Sequence, residues 1–394
     1  MKTFRLVALG AFLITLGSRI AHAQEGGQQQ PDEIITDFGI DEFIYTPKFT
    51  LSLGMRSLTG SKTNFTGRGA VLSVAALADT TTPGLTRYYH DGTVFTDTRL
   101  ITDSDGNTTP ITPDGYTNSW SYNFAEQVTP DGNMAFHTYS ADIRDPGARN
   151  QKADSSSGIE VVVARDMGAI TKKLDWKLFV GLSLNDINSA RSENLSATIT
   201  TTTDFYSLNG QTPPPPPYLG PTSSVTSVVG ADGSVISVPT DSSTLLGSQP
   251  LGRLTTVTTG TVLNRWKVKG AYFTLRAGPS LSYAITEKLK ATLSLGAALV
   301  FVGSTYTVDQ IYSPDVGDDI DSKVDNTTEK LLPGYYADAT LEYAFTERAG
   351  AYAGAIFQSN GSYEQRIATT EANYSTKIDL ASLQGFRLGM NFRF

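Results

Sequence analysis

The sequence predicts an all-β fold, an antiparallel barrel of about eight to ten strands that crosses a membrane, with a lean to ten. Three observations carry this. The C-terminal stretch sets Phe386, Leu388, Met390, Phe392 and Phe394 against Arg387, Gly389, Asn391 and Arg393 in a two-residue repeat. Similar alternation recurs along the chain, with short polar turns between some segments and long Ser/Thr-rich stretches between others. Hydrophobic residues make up 39% and mean hydropathy is −0.17, values compatible with strands that hide an apolar face by alternation.

At the start, Lys2 and Arg5 precede an apolar run from Leu6 to Leu16, and Ala21 and Ala23 supply small residues at a cleavage position. The run is shorter than the roughly 20 residues a membrane-spanning helix needs, so residues 1–23 are expected to be a removable export leader. Residues 24–44, Gln/Gly-rich and then acidic, read as a disordered periplasmic segment. Losing Lys2, Arg5 and Arg19 with the leader takes the formal charge from −8 to −11, which argues against nucleic acid as a partner. A cysteine count of zero excludes disulfides, thiolate metal sites and a lipoprotein anchor.

Residues 45–394 are expected to form the barrel. Phe49, Leu51, Leu53 and Met55 alternate with polar residues, and an apolar stretch follows from Ala70 to Ala78; these are two strands, or one interrupted between Ser57 and Gly67. Ile159, Val161 and Val163 form the next clear strand, and Trp176, Leu178, Val180, Leu182 and Leu184 the one after it. Phe273 to Leu281, Leu289 to Phe301, Ala337 to Phe345 and Ala351 to Phe357 follow the same rule, and Pro279 should sit at a bulge or near a strand end. The turns Thr171–Asp175, Thr286–Lys288 and Thr346–Gly350 are short and belong on the periplasmic side. Long outer loops are expected at about 79–157, 185–267, 303–333 and 360–377. A candidate hairpin, Trp120 to Phe124 returning through Met134 and Phe136, raises the count from eight to ten.

The last strand resembles the C-terminal sorting signal of Gram-negative outer-membrane β-barrel proteins, the porin-like and small-barrel superfamily, with Arg387, Gly389, Phe392 and Phe394 at the matching positions. The resemblance implies residence in the bacterial outer membrane, with membrane lipid and the barrel-assembly machinery as partners. It implies no particular activity.

The lumen-facing charges expected from strand parity are Arg56, Arg276, Lys290, Asp338, Glu342, Arg387 and Arg393. Side chains of this size largely fill a barrel of so few strands, so a wide pore is not expected. The favoured reading is a non-enzymatic barrel of structural or surface-interaction type that needs no cofactor and meets an unidentified surface ligand. A narrow channel for small solutes is the first alternative, and an outer-membrane hydrolase or lipid-modifying enzyme is the second. For the latter, His90, Asp91 and His137 are the candidate residues, against the commoner reading of surface-loop histidines.

Other motifs have bland readings beside sharp ones. Asp103 to Asn107 resembles the opening of a calcium loop but has Asp114 where a bidentate Glu belongs, so a polar turn is preferred. Asp309, Asp315, Asp318, Asp319, Asp321 and Asp325 form an acidic patch, either a loose cation site or a solvated loop. Pro213 to Pro217 holds a polyproline conformation, as a spacer or a presented ligand, and Val225 to Val238 alternates enough for a hairpin.

Overall fold

Strand alternation closes into a ring. The computed structural model describes residues 48–394 except 75–76, 103–106, 146, 154, 223–224, 230–234 and 240–243; the leader, the segment 24–44 and most of the calcium-loop-like stretch lie outside the described residues. The first barrel strand is Phe49–Thr59 continued by Lys62–Leu72, and the second runs through Asn133–Ile143, Arg149–Lys152 and Ser156–Thr171. The third to sixth are uninterrupted: Leu174–Ser207, Gly252–Ala284, Leu289–Tyr312 and Ile320–Ala344. The seventh is Ala349–Ser359 with Ser362–Ala368, and the eighth Ala372–Asp379 with Leu383–Arg393. Antiparallel pairing runs in sequence order from the first to the eighth, and the eighth pairs back onto the first through Thr50↔Arg393 to Thr59↔Gln384. Phe49 and Phe394 exchange backbone hydrogen bonds of 2.9 Å at the seam.

The lean to ten strands is therefore corrected to eight. Trp120–Tyr122 does not enter the ring: it pairs with Gly92–Val94 and Tyr218–Leu219 in a small separate sheet, while Asn133–Ile143 is the upper part of the second barrel strand. Alternation over three residues identifies a strand but not its sheet, because the partner is chosen by distant packing. The expected interruption of the first strand is found at Gly60 and Ser61. Pro279, lacking an N–H, sits where the ladder between the fourth and fifth strands skips from Ala277↔Ala297 to Ser280↔Ser294.

All four loop boundaries are also corrected. The loop placed at 79–157 is the connection 73–132, because Asn133–Ile143 already pairs with the third strand. The third and fourth strands pair from Leu174↔Tyr283 to Phe205↔Gly252, so the loop placed at 185–267 spans only 208–251. Likewise the connection placed at 303–333 is 313–319, and the one at 360–377 is the turn 369–371.

The reason is an inversion of polarity along each strand. In the lower part of the third strand Leu178, Val180 and Leu182 are exposed, while Lys177, Phe179 and Ser183 point into the lumen. Above Asp186 the exposed residues become Asn188, Ser192, Asn194 and Ser196, and the interior becomes Ile187, Leu195, Ala197 and Ile199. The fourth and fifth strands repeat this, with Phe273, Leu275, Leu295 and Phe301 outside below and Val262, Trp266, Val268, Tyr306 and Val308 inside above. A lower storey with an apolar exterior suits lipid, and an upper storey with an apolar core suits water. The same barrel thus serves two solvents.

A line of irregularities marks the boundary on four adjacent strands. Parity flips between Leu58 and Thr63, between Ile143 and Glu160, between Gln358 and Tyr363, and between Ile378 and Leu383. Gly60 and Gly361 adopt positive φ (102° and 74°) at two of these breaks, where the backbone turns one extra residue out of the ladder. Asn360 N–H donates to Leu380 O (3.1 Å), and Leu380 N–H to Gly361 O (2.8 Å), so the breaks on neighbouring strands satisfy one another.

The turns 172–173, 285–288 and 345–348 lie at one end with Phe49 and Phe394, and the other end, here called outer, carries 313–319, 369–371 and the two long connections 73–132 and 208–251. There the two longest connections fold together: Leu246–Gly247 pairs with Tyr116–Thr117, and Trp120, Tyr122, Tyr89, Phe136, Tyr206 and Leu246 form a second buried core. The expected hairpin is present as Val225–Val229 paired with Val235–Pro239.

Candidate functional site

The lumen of the lower storey is where strand parity converges the charged side chains. Arg56, Arg276, Asp338 and Arg387 are buried at mid-height, while Lys290, Glu342 and Arg393 lie nearer the short-turn mouth. At the centre stands a carboxylate absent from the sequence expectation, Glu160 of the second strand. Its Oε2 accepts from Arg276 Nη2 at 2.7 Å, and its Oε1 accepts from Arg387 Nε at 2.7 Å and Tyr352 OH at 2.9 Å. Arg387 Nη1 reaches Asp338 Oδ2 at 2.8 Å and the Tyr336 hydroxyl at 3.0 Å. The guanidinium of Arg276 lies 4.5 Å from the Tyr336 ring centroid and that of Arg387 4.9 Å from the Tyr352 ring. Glu160 was legible from its parity between Ile159 and Val161. What was missing was a reason to prefer it over other inward residues.

Arg56 forms the layer above. Its donors go to neutral acceptors, Asn185 Oδ1 (2.5 Å), Gln358 Oε1 (3.2 Å) and Thr274 Oγ1 (3.3 Å), contributed by the third, seventh and fourth strands. Towards the mouth, Lys290 pairs with Asp175 at 3.3 Å and Arg393 with Glu342 at 3.8 Å. A cavity of about 50 Å³ remains between these layers, lined by Lys177, Asp338, Glu342, Tyr352 and Arg387 among others. That holds one or two water molecules. Above Arg56 the interior is filled by Phe65, Trp266, Tyr306, Tyr374 and aliphatic side chains, with Asn264, Gln310, Gln365 and Thr376 buried among them. Phe65 stacks on both Trp266 and Tyr306 at ring separations of 6.0 and 5.9 Å.

The sorting-signal residues divide between two faces. Arg387 and Gly389 point inward, and Phe392 and Phe394 lie on the exposed face, where Phe394 stacks on Phe49 at 6.1 Å.

The structure brings the two histidines together at the outer end. Asp91, fully buried, accepts the backbone N–H of His137 at Oδ1 (2.8 Å) and its Nδ1–H at Oδ2 (2.6 Å). His90 Nε2 donates to the Asp318 carbonyl at 2.8 Å, and Tyr139 OH to the Val316 carbonyl at 2.8 Å. Burial, with Asp91 nearby, holds the Tyr139 hydroxyl well above the usual phenol range. These bonds tie the connection 313–319 to the outer subdomain.

The acidic patch is dispersed, with Asp309 in the fifth strand, Asp321 and Asp325 in the sixth, and only Asp315, Asp318 and Asp319 in the connection. Among the described residues no group of three or more His, Asp or Glu converges as metal ligands would. Asp114, in the position of a calcium ligand, instead accepts from Arg99 at 2.7 Å. The proline run is fastened to the outer subdomain, since the Tyr122 hydroxyl donates to the Pro214 carbonyl and Tyr218 pairs with Tyr122.

The sequence matches no protein-family model and no curated protein. Among solved structures, the chain is similar to the outer membrane protease OmpT from Escherichia coli at 10% identity, covering 88% of this chain and 97% of that one with a TM-score of 0.29. It is also similar to a Pseudomonas aeruginosa FadL homologue (8% identity, 88% and 90% covered, TM-score 0.19) and to the P. putida toluene transporter TodX (8%, 89% and 91%, TM-score 0.17). The closed antiparallel ring, its outward apolar belt and its inward charges give this chain the fold of a transmembrane β-barrel, the fold of outer-membrane proteins.

Proposed function

We propose that the chain is a non-enzymatic, non-conducting outer-membrane barrel whose folded outer storey is a surface for interaction. The observation that carries this reading is the filled lumen. Glu160, Arg276, Arg387 and Asp338 interlock across it, Arg56 bridges the third, fourth and seventh strands above them, and the stacked Phe65, Trp266 and Tyr306 fill the next level. An ion crossing such a barrel would have to part buried salt bridges and then a closely filled core rich in aromatic side chains. The Asp91–His137 pair, the feature closest to enzyme chemistry, is accounted for structurally: both oxygens of the buried carboxylate are taken by His137, and the pair fastens residues 87–94 to the second strand.

Purified full-length protein in a planar lipid bilayer tests the proposal. A silent bilayer is expected. Steady openings at neutral pH would overturn it in favour of a channel.

A further inference from the structure

Among the described residues, the upper part of the fourth strand has one edge without a partner. On one side it pairs with the third strand from Leu195↔Val262 to Phe205↔Gly252. On the other, the ladder to the fifth strand starts only at Leu263↔Ile311. From Gly252 to Val262 that second edge therefore has no backbone partner among the described residues. Gly252 to Thr259 are exposed on both faces, including Leu254 at 52% and Val257 at 64%.

Natural proteins blunt such an edge with charge, proline, a bulge or brevity, because alternating N–H and C=O groups recruit further strands. None of these devices is present here. Between Arg253 and Arg265 there is no charged residue and no proline, and Thr255, Thr256, Val257, Thr258, Thr259, Thr261 and Val262 are β-branched. Arg253 does not guard the edge. Its guanidinium turns back across the ladder onto Asp204, with Nε to Oδ1 and Nη2 to Oδ2 both at 2.7 Å.

We infer that this edge is a docking site for an extended, uncharged polypeptide strand presented from outside the cell. The inference rests on the reading of the outer storey as an interaction surface, and names its partner class. A row of donors and acceptors repeating every two residues over about 35 Å is matched along its length by another extended backbone, not by a sugar or a lipid. The absence of charge selects against acidic and basic segments, and the Thr and Val side chains favour β-branched neighbours on the incoming strand. A sister copy in the same membrane fits poorly. Its strand would run in the same direction across a twofold axis normal to the membrane, setting donor against donor.

The test uses the full chain in lipid nanodiscs and a fluorescent peptide of about ten alternating Thr and Val residues. The comparator is the same peptide N-methylated at alternate amides, and the variant is Val257→Lys, an exposed side chain whose replacement leaves the barrel core untouched. Expected are saturable binding, slowed amide hydrogen exchange confined to residues 252–262, and affinity at least about tenfold weaker for both the methylated peptide and the variant. Unchanged exchange at peptide concentrations up to about 1 mM would overturn the inference, as would equal binding of the methylated peptide. A dimer of the chain alone that Val257→Lys dissociates would overturn it in favour of self-association. Conductance is measured independently: a silent barrel that binds no peptide refutes only this site, and a conducting barrel refutes the closed-lumen reading.

Discussion

The hydroxyl end of Tyr352 lies over Gly54 and Gly389, so that a Cβ built on Gly389 would stand 2.8 Å from the Tyr352 hydroxyl and closer still to the backbone of Leu53 and Gly54. Gly54 is the direct ladder partner of Gly389, and two glycines side by side leave the trough in which that end rests. The glycine of the sorting-signal match thus has a packing reason of its own.

That permits packing to be separated from sorting. Gly389→Val should fail to form the folded, heat-modifiable species both in cells and on refolding into detergent, because the clash travels with the chain. Phe394→Asp should refold in detergent but accumulate poorly in outer membranes, if the terminal aromatic is read during assembly. Gel-shift assays on both preparations check this. Equal behaviour of the two variants in both settings would refute the division.

Glu160 holds two guanidiniums in a site closed to solvent, so its removal leaves buried positive charge unpaired. Glu160→Ala should cost about 3–5 kcal/mol, whereas the joint change with Arg276→Met should recover part of that loss. Urea midpoints for the single and double variants decide it, and additive losses would argue against coupling.

The polarity boundary predicts opposite responses to one change made on two levels of the fifth strand. Leu295→Lys, on the belt and 55% exposed, should destabilise by about 2–4 kcal/mol in lipid, while Thr305→Lys above the boundary should stay within about 0.5 kcal/mol of the parent. Refolding titrations into vesicles measure both.

In the outer subdomain, hydrogen bonds from the backbone N–H of Thr82, then from the Thr81 side chain and backbone, pull the Asp79 carboxyl down to about 2 from its ordinary 3.8. A depressed carboxylate contributes stability that is complete above pH 3.8 and is lost as pH falls through about 2. Loosening of the turn at 79–82 should therefore appear between these values, in exchange rates of the Thr81 and Thr82 amides. In Asp79→Asn this step should vanish.

Orientation follows from the two long connections, 73–132 and 208–251, both lying at the end away from Phe49 and Phe394. An epitope inserted after Gly210 should be stained on intact cells, and one inserted at Glu287 only after permeabilisation. Staining of the second alone would invert the barrel.

Period-two alternation by itself determined the antiparallel barrel and its apolar belt, and pointed to the inward side of each strand. These are local properties: each follows from which side of a strand a residue occupies. Strand number was not local, because Trp120–Tyr122 and Asn133–Ile143 both look like strands and only packing assigns one to the outer sheet and the other to the ring. Strand length escaped for a different reason. Beyond Asp186 the alternation persists with its solvent preference reversed, so a search for apolar-out segments stops where the chain leaves the lipid. The meeting of Glu160 with Arg276 and Arg387, that of Asp91 with His137, and the edge from Gly252 to Val262 left unpaired among the described residues were decided by tertiary structure alone. Each depends on what a distant strand places, or fails to place, beside it, and that is set by register and closure of the whole ring rather than by any stretch of sequence.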